Sequence, residues 1–429
     1  MAGALGALAI WPWFVQLRAA PATFTPAPVI PDYLSRDQLI AFEERQVRGS
    51  PQDQISARML AGQYMQRFRE RYDLGDILRA RRFAERSLQL QPQGNTAAQM
   101  TLAATYLAFH RFREALQHER AAVAGEPFNA NARAQIASLQ MELGKYSEAR
   151  TTLAAIPASG PEDPTVDSVW ARFYELTGHI DRARILIQRA ILTIDSNVSN
   201  PAYDRSWFHL RSAQLAFESG DFETAREEYA ISLKDFPRNA GALLWEARLY
   251  RAQKRWAEAL DASTRSANLY PLPQALGYEA DAQRALGQIR AADATEALVA
   301  AEERLFNSQG INDRLLANYY AQRRTHLDEA LRAAKDDYRR RGDEIYSCDT
   351  MAWVLAALGR WHQALPFARS ALRTGTQDSE IRYHAAIVEM HNGQPERARE
   401  LLKSALSNNS NFDPFEAADA KLQLAKLNR

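Results

Sequence analysis

The sequence predicts an all-α solenoid of stacked helical hairpins, and three observations carry that expectation. Small and apolar residues fall at helical spacing on both sides of a tight turn. In IYSCDTMAWVLAALGRWHQALPFARSALRTGTQD, from Ile345 to Asp378, Met351, Ala352 and Leu355 share one face, Gly359 supplies the turn, and Ala364, Ala368 and Ala371 face back. The pattern recurs at steps of 34 residues. One hairpin cannot bury its own apolar face, so copies must stack, and a chain of 429 residues then forms one elongated body rather than two or three domains.

The chain opens on an uncharged run, residues 2–17 (AGALGALAIWPWFVQL), with Arg18 after it. The run is slightly short for a membrane-spanning helix of about 20 residues, contains Pro12 and lacks the basic flank of a signal peptide. Arg18-Ala-Ala-Pro-Ala offers the small residues a signal peptidase favours, and one explanation is a true start further upstream. Residues 1–20 are thus expected to be a signal-like or anchor segment and the protein exported, periplasmic or membrane-anchored, with a cytoplasmic protein as the alternative. Residues 21–34 read as a Pro-rich linker. Ser35-Arg-Asp-Gln38 fits a capping box, opening an N-terminal helix over 35–50 that Gly49-Ser50-Pro51 ends.

The array spans 54–412. Its first unit has Leu60, Ala61 and Tyr64 on the opening helix and Ala80, Ala84 and Ser87 on the second; about seven extra residues in the 65–79 stretch lengthen the helices or the turn. The second (96–129) carries Leu102, Ala103, Tyr106, Phe112, Ala115 and Ala122, the third (130–163) Ile136, Ala137, Gly144, Tyr146, Ala149 and Leu153, and the fourth (164–197) Ala171, Tyr174, Gly178, Ala183, Ile187 and Ala190. Register slips by eight residues through a polar insertion at 196–205 and resumes with Ala213, Gly220, Ala225 and Tyr229, then Ala247, Tyr250 and Ala259. A degenerate seventh copy has Ala280, Gly287 and Ala292; three more follow, marked by Ala317 and Ala330, by the Ile345–Asp378 stretch, and by Ala385, Gly393, Ala398 and Leu402. Pro366, about five residues into a second helix, predicts a bend. Residues 413–429 form an amphipathic capping helix over the last open face.

A formal net charge of +1 gives no global field for nucleic acid or a membrane surface. Cys348, the one cysteine, excludes a disulfide framework and reads as a small buried residue. The eight His form no HExxH pair, and GxGxxG, GxxxxGK[ST] and GxSxG are absent, so neither an enzyme nor a cofactor or metal is expected.

A 34-residue period with a small residue at position 8, an aromatic at 11, Gly at 15, Ala at 20 and Pro at 32 resembles the tetratricopeptide repeat, in about ten copies. The last 120 residues, with LDEAL, MAWVLAALGRWHQAL and YHAAIVEMHNG, further resemble bacterial tetratricopeptide-repeat proteins of unassigned role. The resemblance implies a right-handed superhelix whose first helices line a concave groove for a peptide or partner protein, with positions 2, 5, 6, 9 and 12 of each repeat on or near it. On that geometry the expected groove residues are Arg172, Trp207, Arg211, Trp245, Arg248, Tyr278, Tyr319, Trp353, Tyr383 and His384. Aromatic anchors beside Arg are the composition of binding hot spots, although any one of them also suits packing between hairpins. The same positions hold Ala97, Met100, Thr101 and Ala104 in the second repeat and Asn131, Ala134, Gln135 and Ser138 in the third. They depart from the Lys and Asn clamp by which some members of the family grip acidic chaperone tails.

The reading is therefore a non-catalytic interaction scaffold. Interleaved Arg and aromatic residues keep single-stranded RNA binding as an alternative, against which the near-zero net charge argues, so no nucleic acid is expected. An enzyme with His384, Tyr383 or Cys348 in a cleft is the remaining one.

Overall fold

The computed structural model describes residues 31–157, 163–197, 199–308 and 314–429, the side chains of 302–308 excepted. The apolar start and most of the Pro-rich linker lie outside these residues. Among the described residues there is no strand, and no helix is long and apolar enough to cross a membrane. After α1 (Arg36–Gly49) the helices pair as antiparallel hairpins: α2 (Gln54–Arg71) with α3 (Leu74–Leu90), α4 (Thr96–Ala108) with α5 (Phe112–Gly125), α6 (Ala130–Glu142) with α7 (Tyr146–Ala154), α8 (Pro164–Leu176) with α9 (Ile180–Asp195), and α10 (Ala202–Glu218) with α11 (Phe222–Asp235). They continue as α12 (Ala240–Ala252) with α13 (Trp256–Leu269), α14 (Pro273–Ala285) with α15 (Ile289–Ser308), α16 (Arg314–Arg323) with α17 (Leu327–Arg341), α18 (Ile345–Ala357) with α19 (Trp361–Ala371), α20 (Ser379–His391) with α21 (Pro395–Asn408), and α22 (Glu416–Leu427).

Local chemistry sets these boundaries. The side chains of Asp53, Asn129, Asp163, Asn239 and Asp378 accept hydrogen bonds from the first free amides of α2, α6, α8, α12 and α20, satisfying donors that the helix itself leaves open. Within hairpins, Gly144, Gly178, Gly220, Gly359 and Gly393 turn the chain at φ between +70° and +79°, which a residue with a Cβ adopts only at a cost. The alanines at the recurring positions, among them Ala80, Ala115, Ala149, Ala183, Ala225 and Ala259, are fully buried and let the paired backbones approach.

One local expectation is overturned, and one resolves between its two alternatives. The Ser35 hydroxyl donates to the Asp32 carbonyl, 3.0 Å away, instead of capping α1, because a short 3-10 turn, Asp32–Leu34, places that carbonyl within reach. The extra residues at 65–79 enlarge the helices, α2 running for 18 residues and α3 for 17. Pro366, where a bend is expected, lies inside α19.

The chain also winds back on itself. Arg341 pairs with Glu142, the Ile345 amide donates to the Tyr146 hydroxyl, and the Gln377 side chain donates to the Gly178 carbonyl. Each of these pairs is separated by 199 residues. Past the 196–205 insertion the separation falls to 192 and 190, where Asn409 and Asn408 donate to the carbonyls of Phe217 and Glu218, a drop that the eight inserted residues account for. Earlier in the chain, Tyr72 stacks on Tyr270 at 5.1 Å and its hydroxyl accepts from the Ala240 amide. Hairpins far apart in sequence thus meet in register, where a simple solenoid has only nearest-neighbour contacts.

Candidate binding groove

The inward faces of the first helices meet different fates in the two halves of the array. In the first, α2, α4, α6 and α8 surround a cavity of about 990 Å³, closed on one side by the α9–α10 connection and the start of α10. That size is at the upper end for ligand sites. Met65, Met100, Leu139 and Trp207 give it apolar walls, and Gly62, Arg69, Ser196 and Asn197 form an exposed rim. Its lining includes Met100, Thr101, Ala104 and Gln135, which occupy inward positions 5, 6 and 9 of the second repeat and 6 of the third.

Three charged residues line it. Arg69 is at the rim. Burial raises the pKa of Asp204, and the nearby Arg69 works against that rise. Glu119, on α5, is only 3% exposed, and its Oε2 has no hydrogen-bond partner. Burial alone pushes its carboxyl up to about 8, with no cation to offset it. It stands one 34-residue period before Leu153 and two before Ile187, both of which pack in the core. That break in the pattern was open to view in the sequence, and it was the signal that a search for aromatic and Arg residues passed over.

Of the ten residues expected in the groove, Trp207 lines this cavity. The other nine are engaged elsewhere, each with partners from the chain itself. Arg172 pairs with Glu175 and lies over the Tyr346 ring, 5.3 Å from its centroid, and Arg211 pairs with Glu175 at 2.6 Å. Trp245 meets Phe217 edge-on. Arg248 lies over the Trp245 ring and donates to Glu380 at 2.7 Å. Tyr278 sits under Arg251, and Tyr319 under Arg323. Trp353 stacks on His384 at 4.0 Å, and the Tyr383 hydroxyl donates to Asp419. The physical reason is the closure of the array: Arg172 reaches Tyr346, and Arg248 reaches Glu380, across the contact between distant hairpins.

His384 is the most enclosed of the set, 1% exposed. Burial works against its charge, but the carboxylates of Asp349 and Glu416 on its two ring nitrogens outweigh that and hold its pKa well above the ordinary range. Cys348 is fully buried, and burial pushes its thiol up to about 12.

Models of the tetratricopeptide repeat match residues 108–172 and 355–425 and residues 210–271. No curated protein matches the chain in sequence. In structure it is similar to the human IFIT1 dimer with PPP-AAAA, at 15% identity over 80% of this chain and 78% of that one, with a TM-score of 0.51. The same protein with m7Gppp-AAAA matches at 14% identity over 80% of this chain and 77% of that one, TM-score 0.51. Yeast Tom70 matches 88% of this chain and 97% of its own at 11% identity, TM-score 0.34. At such identities the likeness concerns the fold alone.

Proposed function

Because this chain is a tetratricopeptide-repeat protein, we propose that it is a non-catalytic scaffold holding an extended segment of a partner polypeptide in the cavity between α2, α4, α6, α8 and α10. The observation that carries this reading is the convergence of inward positions from four successive first helices on one recess of about 990 Å³. Apolar walls with a few polar groups suit a peptide whose side chains bury on one face. The single-stranded RNA alternative needs a basic stripe along the site. The charged lining supplies a single cation, Arg69, at its exposed rim. Export or tethering through residues 2–17 belongs to the same proposal, and fractionation of cells with and without that segment tests it.

The test of the groove is affinity capture with the wild type, with Ala104→Arg, which fills the recess from α4, and with Trp245→Phe, which alters the closed half. A partner retained by the wild type and Trp245→Phe but lost from Ala104→Arg, at unchanged melting temperature, supports the cavity. Equal retention by all three overturns it.

A further inference from the structure

Resting on that reading of the cavity, we infer that the groove is specific for a polypeptide segment carrying a Lys or Arg side chain, whose cationic head seats against the Glu119 carboxylate. Glu119 lines the cavity, is 3% exposed and leaves Oε2 without a partner. A buried carboxylate in that state is costly, and native chains keep few of them. At the equivalent position the next three repeats carry Leu153, Ile187 and Tyr229, each packed in the core, and the two after them carry Ser263, which donates to the Ala259 carbonyl, and Glu296, which pairs with Arg284. The polar members are satisfied within the chain, and Glu119 Oε2 is not. A buried carboxyl with an unpartnered oxygen is expected to cost stability, a cost that a ligand pairing with it would offset.

The charge sign selects the ligand. Among the charged residues of the lining, Arg69 is at the exposed rim and Glu119 is buried, so Glu119 is the group whose charge state a ligand entering the recess would set. Burial alone raises the Glu119 pKa, which places no cation of this chain beside it. A guanidinium or ammonium supplied by the partner would hold the carboxylate ionised and give it hydrogen bonds. The stem of such a side chain would lie along apolar wall of the kind Met65, Met100 and Leu139 provide. A neutral apolar peptide would leave the carboxylate buried and unpaired, which is how the site discriminates.

Random 12-residue peptides displayed on their encoding RNA, selected on the full-length wild type and depleted on Ala104→Arg, supply the probes. The enriched peptides are expected to share one Lys or Arg. Replacing it with norleucine, or Glu119 with Gln, weakens a synthetic enriched peptide about 30-fold or more, and the two changes together cost no more than either. Glu119→Leu is expected to melt higher than the wild type while losing the same peptides, so that loss of binding is separated from loss of fold. Enriched peptides without a shared basic residue, or equal norleucine losses in wild type and Glu119→Gln, overturn this inference and leave the cavity reading standing. A lower melting temperature for both Glu119 variants also overturns it, because Glu119 would then serve the fold. Peptides that bind Ala104→Arg as well as the wild type overturn the cavity reading and the inference with it.

Discussion

The recess around Glu119 and the contact around Arg248 are built from the same parts, inward positions of successive first helices, and they have opposite fates. At Arg248 a hairpin from much later in the chain arrives and supplies Glu380. At Glu119 nothing in the chain arrives, and the carboxylate keeps a free oxygen. Composition cannot tell the two apart, because Arg beside aromatic rings serves a self-contact as well as a foreign one. What separates a binding surface from a structural one is whether its polar groups are already satisfied.

The largest effect is expected where the closed half is broken. Arg341 is 5% exposed and pairs with Glu142 and with the buried Asp337. Arg341→Met strands those carboxylates, and urea unfolding should show a loss of about 3–5 kcal/mol. A loss below about 1 kcal/mol would mean that the distant hairpins contribute little by meeting.

A paired glycine experiment comes next. Gly178 and Gly287 have nearly the same backbone, φ +79° and +77°. A Cβ on Gly178 collides with the Gly375 carbonyl oxygen, whereas a Cβ on Gly287 meets nothing within 4 Å. Gly287→Ala should cost the conformational term alone, about 1–2 kcal/mol. Gly178→Ala should cost a further 1–3 kcal/mol or so, because two backbones must separate. Equal losses would show that the contact yields freely.

In the open half the sign reverses. Glu119→Leu should stabilise the chain by about 1–4 kcal/mol, since it removes a buried unpaired carboxyl and restores the side chain type of Leu153. The pH dependence is subtler. Folded Glu119 keeps its proton up to about pH 8, while an unfolded glutamate releases it near 4.5. The folded state therefore binds more protons between these values, so its stability falls as pH rises across that window and levels off above it. Melting curves of wild type and Glu119→Gln from pH 5 to 9 should differ by this slope, the stability of the wild type falling relative to that of the variant as pH rises, since the remaining titrating groups are common to both.

Much of this was legible in the sequence. The 34-residue period placed the hairpins, and of the eight inward positions of the second and third repeats Ala97, Asn131, Ala134 and Ser138 do not line the cavity, whereas Met100, Thr101, Ala104 and Gln135 do. They were passed over because they lack aromatic and Arg character. Trp353 and His384 stand out by composition, and the half-buried Trp353 stacks on the fully buried His384. The winding-back was not legible, because it depends on small rotations summed over many hairpins. A repeat pattern specifies neighbours and is silent about copies four to six places along.

The separation of 199 residues between Arg341 and Glu142 has a consequence during synthesis. A ribosome adding about 5–20 residues per second needs roughly 10–40 s to deliver the second partner after the first. For much of that interval the inner faces of α6 and α8 are made yet uncovered, with Arg172 lacking Tyr346 as a nearby neighbour. The nascent chain thus passes through a state in which its middle carries a second, transient groove, and a chaperone that engages the chain would find it there.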